Sequence, residues 1–148
     1  MLAVAALLLV SGCSQGSVPH VTPSSTPTIT PTNSIDRDAV YTAAVAYLQS
    51  FLTSWQKNGL YAAAQKYLDP SMRPKQRQGN LVLIAGTVTR TQPDAWVSAD
   101  HFTVMADLDL RFSTGDPGAW GNGINTRFVT FVRSSASAPY QMTFATSP

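Results

Sequence analysis

Glutamate is absent from this chain of 148 residues, and only 12% of its residues carry a charged side chain, about half the usual share. Polar surface must therefore come from Thr, Ser, Gln and Asn. The formal net charge is +2, but apart from Arg73, Lys75 and Arg77 the basic residues are scattered. The concentrated basic stripe that nucleic acid requires is missing, so no nucleic-acid partner is expected. A single cysteine, Cys13, excludes an internal disulfide and a thiolate cage for a metal. The four glycines of Ser113–Gly123 lack the Lys-Ser/Thr of a phosphate loop and open no helix. No metal or other cofactor is expected.

What the chain does have begins at its N-terminus. Leu2–Val10 is a continuous apolar run, long enough for a signal-peptide core but well short of the roughly 20 residues needed to span a bilayer. Val10-Ser11-Gly12-Cys13 follows at once. This resembles the lipobox of bacterial lipoproteins, in which an aliphatic residue and two small residues present a Cys for diacylglycerol transfer and N-terminal cleavage. The resemblance implies a signal peptide over residues 1–12, lipidation of Cys13 by palmitate-type chains, and residence on the extracytoplasmic face of a cell membrane. At about 0.8 kcal/mol per buried CH₂, such chains anchor a protein without a transmembrane helix. Met1 is followed directly by the apolar run, without the usual basic cluster of a secretory signal, as a start codon placed too late would produce. The competing reading is an ordinary secretory peptide with a chance cysteine near its end.

Residues 13–34 form a second region, in which SQGSVPHVTPSSTPTITPTNS follows Cys13 and contains no Asp, Glu, Lys or Arg. It cannot bury enough apolar surface to offset its ordering entropy. Pro19, Pro23, Pro27 and Pro31 bias it toward extended polyproline II, a tether of up to roughly 60 Å. The Ser and Thr beside Pro permit O-glycosylation, and the alternative is a plain spacer. His20 is expected to be solvated.

Residues 35–148 read as one globular domain. Ser34 is available as a helix cap, with Asp36 and Asp38 in the first turn. Val40, Ala44, Tyr47, Leu48, Phe51 and Trp55 fall on one stripe, and Lys57-Asn58-Gly59 supplies a stop. A short second helix, Leu60–Leu68, ends at Asp69-Pro70. The polar stretch Met72–Gly79 reads as a turn of helix or a loop. The period then changes from 3.6 to 2, predicting strands over Leu81–Thr91, Trp96–Phe112, Ile124–Arg133 and Tyr140–Thr146, with a turn at Gln92-Pro93-Asp94. The fold class is α+β, with helices packed on an antiparallel meander of about four strands. This order and length of elements resembles the cone-shaped NTF2-like (cystatin-like, SnoaL-like) superfamily, which implies a curved sheet wrapped around a pocket. Gly123–Phe131 with Phe144-Ala145-Thr146 is also similar to uncharacterised actinobacterial lipoproteins.

Catalytic branches of that superfamily, as the resemblance implies, place an Asp/His or Asp/Tyr set in the concave pocket. Strand parity tests this in the chain. Phe102, Val104, Ala106, Leu108, Leu110 and Phe112 share one face, leaving His101, Thr103, Met105, Asp107, Asp109 and Arg111 on the other. His101 and Asp107 lie roughly 20 Å apart along the strand and cannot share a proton. Asp100 has inward parity and is the remaining candidate base, either on the pocket rim beside Tyr41, Tyr47, Trp55 or Tyr61, or simply hydrated or paired with an Arg. Asp107, Asp109 and Arg111 are expected to form cross-strand charge pairs with Arg127 and Arg133 on the outer face. An outward Met105 with Val129 or Phe131 would suit a homodimer, although Phe128 and Phe131 cannot share a face without a bulge.

Tyr47 and Trp55 are candidate ligand contacts whose spacing also suits a plain core. Trp120 is expected either to contact a partner or glycan or to fold back over the mouth of the cone. Arg73, Lys75 and Arg77 are candidate contacts for headgroups or wall polymers, or else solvated. Two functions are weighed. One is a non-catalytic module that binds a ligand, a wall component or an envelope protein. The other is a SnoaL-like enzyme for proton transfer, dehydration or hydrolysis using Asp100 with a tyrosine. An accessory subunit of a secretion or conjugation complex is a third, by analogy of fold alone.

Overall fold

In the computed structural model, which describes residues 35–75, 82–113 and 120–147, the first helix opens on a side-chain cap. The Asp36 carboxylate accepts from the backbone N–H groups of Asp38 and Ala39 at 3.0 and 3.2 Å. Asp36, not Ser34, therefore caps helix α1, Arg37–Tyr67, because its carboxylate reaches the free N–H groups of the first turn. Ser34 lies outside the described residues. Ala44, Leu48, Phe51 and Trp55 are at most 1% exposed, and Val40 and Tyr47 pack beside them, so the expected stripe faces the core. Leu52, fully buried, widens that stripe. Each large apolar side chain buried in this way contributes about 1.5–3 kcal/mol.

The expected stop is a break inside α1. Gly59 has φ 83° and ψ 160°, a combination almost confined to glycine, and it redirects the chain so that Ala63, Ala64 and Tyr67 also reach the core. After Tyr67 the chain turns extended: Leu68 bridges to Met142, and Asp69 N donates to Met142 O at 2.9 Å. A single 3₁₀ turn follows at Pro70–Met72, capped by Asp69, whose Oδ1 accepts from Ser71 N and Oγ at 2.9 and 2.6 Å. Arg73 Nε donates to Leu68 O at 2.9 Å, so this arginine is engaged at the end of the helix.

Four antiparallel strands follow in the order β1 (Leu83–Ser98), β2 (His101–Phe112), β3 (Gly123–Val132) and β4 (Gln141–Ala145). The domain is α+β, one long broken helix packed on a curved four-stranded sheet. The boundary between the first two strands differs most from expectation, the others by at most two residues. The chain does not turn at Gln92-Pro93-Asp94; β1 runs through to Ser98 and the turn is Ala99-Asp100. Pro93 is tolerated because β1 is an edge strand and its register against β2 shifts between Pro93 and Ala95. Trp96 consequently belongs to β1, opposite Phe102, and stacks on it at 5.6 Å between ring centroids.

Both edges of the sheet carry a partner from α1 or its continuation. On β1 the Gln49 carboxamide donates to Gly86 O and accepts from Val88 N, both at 3.0 Å, and Gln56 Nε2 donates to Ile84 O at 2.6 Å. Gly86 is required by close approach: a Cβ there would lie 3.1 Å from Leu83 Cδ2 and 3.4 Å from both Leu110 Cδ2 and Leu52 Cβ. On β4 the Leu68–Asp69 segment supplies the partner.

Two outcomes follow for urea denaturation. Gly59→Ala should cost about 1–3 kcal/mol through backbone strain alone, since a Cβ added there would meet no atom within 4 Å, whereas Gly121→Ala, equally open and at ordinary φ, should stay within about 0.5 kcal/mol. Gln49→Ala should cost about 1–3 kcal/mol, because it leaves Gly86 O and Val88 N without their partner.

Candidate functional site

Strand parity sorts the chemistry-bearing residues into three places. Phe102, Val104, Ala106, Leu108, Leu110 and Phe112 are all buried against α1, while His101, Asp109 and Arg111 are exposed on the outer face. Asp107 also lies on the outer face yet is only 9% exposed. Arg90 Nε donates to its Oδ2 at 2.7 Å and Thr126 Oγ1 to its Oδ1 at 2.6 Å, so one carboxylate ties β1 to β3 across β2. The Thr126 hydroxyl, then the Arg90 hydrogen bond and charge, hold the Asp107 carboxyl below its ordinary value against the opposing effect of burial. The expected pairing of Asp107 with Arg127 or Arg133 is therefore replaced: Arg90 stands opposite Asp107 in register, whereas Arg127 and Arg133 lie on the parity of the core residues Val129 and Phe131.

That parity is unambiguous, because β3 pairs with β2 without a register shift from His101 opposite Val132 to Leu110 opposite Gly123. Val129 and Phe131 are fully buried, and Phe128 faces outward opposite Met105. An outer-face contact built on Met105 with Val129 or Phe131 is thus not formed as expected; the apolar groups on that face are Met105 and Phe128, with Ile124 and Val132 exposed.

The second place is the Ala99-Asp100 turn. Arg133 Nε donates to Asp100 Oδ1 at 2.6 Å, Arg133 N donates to Asp100 O at 3.0 Å, and the guanidinium lies 4.5 Å above the Tyr140 ring. Arg133 Nη1 also donates to Ala136 O at 3.0 Å. Tyr140 Oη donates to Ala99 O at 2.6 Å, and Tyr47 Oη donates to Tyr140 O at 2.5 Å. Asp100 sits beside Arg133 and Tyr140, which pin the β1–β2 turn to the segment after β3, while Tyr47 ties α1 to that same segment. Burial raises both phenols above their ordinary value, aided at Tyr47 by nearby Tyr67; at Tyr140, Arg133 opposes the rise and Asp100 adds to it. Both hydroxyls stay protonated at neutral pH and act as donors. Tyr47 is a structural tyrosine, its ring edge-on to Tyr67 at 5.0 Å and to Tyr140 at 6.2 Å.

The third place is aromatic. Trp55, 1% exposed, has its ring centroid 5.8 Å from Phe51, 5.6 Å from Phe112 and 5.8 Å from Trp120. Its Nε1 has no hydrogen-bond partner among the described residues. Trp120 folds back onto the core, edge-on to Trp55 and to Phe144 at 5.4 Å, with the Arg127 guanidinium 4.7 Å over its ring. Asn125 fixes this end of the loop: its Oδ1 accepts from Gly121 N at 2.9 Å, and its Nδ2 donates to Gly121 O and Gly123 O at 2.8 Å. Asn122 Oδ1 accepts from Phe112 N at 2.7 Å. Sequence reasoning misses both asparagines; Asn125 bonds its local backbone, as Asn near glycines often does, whereas Asn122 reaches across to the end of β2.

Residues 1–34, with Cys13 and His20, and Arg77 lie outside the described residues. Among the described residues no group of three His, Cys, Asp or Glu side chains is placed to hold a metal ion, and no helix is long and apolar enough to cross a membrane. Comparison with family models, with curated proteins and with solved structures gives no match.

Because the folded Asp107 value lies below 3.8, its contribution to stability is present above pH 3.8 and lost as pH falls through the folded value. Asp107→Asn should lower stability at pH 7 and flatten the acid limb of the stability curve relative to wild type, measured by denaturation at a series of pH values. An unchanged acid limb would contradict the role given to this carboxylate.

Proposed function

We propose that this chain is a lipoprotein held by lipidated Cys13 on the extracytoplasmic face of a cell membrane. A tether over residues 13–34 carries an NTF2-like domain that binds a ligand, a wall component or an envelope partner without catalysing a reaction. The anchor rests on Leu2–Val10 running into Val10-Ser11-Gly12-Cys13. The NTF2-like reading is supported by one long helix followed by a curved antiparallel meander.

The observation that carries the binding role is the aromatic end of the domain, where half-buried Trp120 lies against Trp55 and Phe144. Tryptophan is favoured at contact sites because it supplies a large rigid surface and one donor. Asp100 argues less well for proton transfer. A general base needs a substrate pocket to work in, and this carboxylate bonds Arg133 through Oδ1 at a half-exposed turn.

Two experiments on the full chain in cells test the reading. Cys13→Ala should abolish incorporation of a labelled lipid precursor and release the protein to the medium; retention at the membrane would remove the anchor. In crosslinking on intact cells, Trp120→Ala should eliminate an adduct that Asp100→Ala retains. The reverse pattern would favour a site at Asp100.

A further inference from the structure

The break at Gly59 also creates a groove of about 330 Å³ on the surface of α1. Ser50, Thr53, Ser54, Lys57 and Asn58 line it from the part of α1 before the glycine, and Lys66 and Tyr67 from the part after it. On an unbroken helix, residues nine apart project about 180° from one another, so Lys57 and Lys66 would stand on opposite faces. The glycine dihedrals bring both lysines to the lining of one groove.

The charge around them is one-sided. Between Asp38 and Asp69 the chain contains no acid, and among the described residues neither lysine has a carboxylate partner. Lys66 Nζ instead lies 4.8 Å over the Tyr67 ring. The hydroxyls are oriented too. Ser50 Oγ donates to Ala46 O at 2.8 Å and Thr53 Oγ1 to Gln49 O at 2.9 Å, which leaves their oxygens as acceptors. Ser54 Oγ already accepts from Asn58 Nδ2 at 3.4 Å. The groove therefore combines two cationic donors with acceptors directed by the helix backbone.

We propose that this groove binds a polyol phosphate, a phosphate ester carrying free hydroxyls, with Lys57 and Lys66 on the phosphate and Ser50 and Thr53 accepting from the hydroxyls. Inorganic phosphate would satisfy only the lysines, and a neutral polyol only the acceptors. The proposal does not depend on the lipid anchor or on the aromatic end of the domain, and it stands or falls separately from both.

The same chemistry occurs free in polyol phosphates and in the headgroup of phosphatidylglycerol. Calorimetric titration of the purified full chain should show saturable binding of glycerol phosphate, at least tenfold tighter than glycerol or inorganic phosphate and weakened by salt. The double variant Lys57→Gln, Lys66→Gln should lose at least tenfold in affinity, while Lys75→Gln, an exposed lysine outside the groove, should keep it. Both lysines are exposed, so the double variant should unfold at the wild-type urea midpoint, which separates lost binding from lost folding.

Vesicles of phosphatidylglycerol, compared with phosphatidylcholine, identify the source. Competition by phosphatidylglycerol vesicles for glycerol phosphate supports a headgroup, and absence of competition supports a soluble polyol phosphate. No saturable binding of glycerol phosphate, equal affinity for glycerol, or an equal loss in Lys75→Gln would overturn the proposal.

Discussion

The Gln49 carboxamide stands where a fifth strand would otherwise pair. It offers Gly86 O a donor and Val88 N an acceptor, the two groups that a neighbouring backbone would present, while its own helix buries Leu48 and Leu52 beside it. Polar and apolar contacts are thereby set in one register. Sliding α1 along β1 would break the amide pair, and lifting it would expose the stripe. Gly86 enforces the same distance, since a side chain there would press on Leu52 and Leu110. With Leu68 and Asp69 fastened to Met142 at the far edge, α1 and its continuation link β1 to β4.

A chain with so few charges uses several of them structurally. Asp107 joins three strands through Arg90 and Thr126, Asp100 and Arg133 join a turn to the segment after β3, and Asp69 shapes the chain leaving α1. Asn122 and Asn125 do comparable work at the other end of the sheet without charge. Hydroxyls and amides thus make many of the long-range connections, as a composition rich in Ser, Thr, Gln and Asn requires.

Much of the fold is legible in the sequence where burial imposes a period. The stripe from Val40 to Trp55 and the alternation from Phe102 to Phe112 are both written by contact with one apolar interior, and Gly59 announces its own break. Pro93 misleads for a local reason: a proline-containing triplet marks a turn only if its backbone is needed for pairing, and strand position at an edge depends on the whole sheet. The polar connections are less legible. Gln49 and Gln56, seven residues apart, flank the stripe on one side, but only the three-dimensional arrangement shows that an open edge faces them. For Asp100, parity gives an inward rim position, and pairing with an arginine is only one of the alternatives left open there. The choice of Arg133 follows from the β3 register, which two phenylalanines three residues apart leave ambiguous in the sequence.

Gln49 and Gln56 reach β1 only as far as Val88, and the edge from Arg90 to Ser98 lies beyond both. That half of the edge holds Pro93, which has no N–H to offer, between the charged Arg90 and Asp94. Copies of the domain crowded together therefore meet an edge that resists extension into an intermolecular sheet. The proline that conceals the length of β1 from sequence inspection also serves as a guard against self-assembly, and its removal would trade a more regular strand for a stickier molecule.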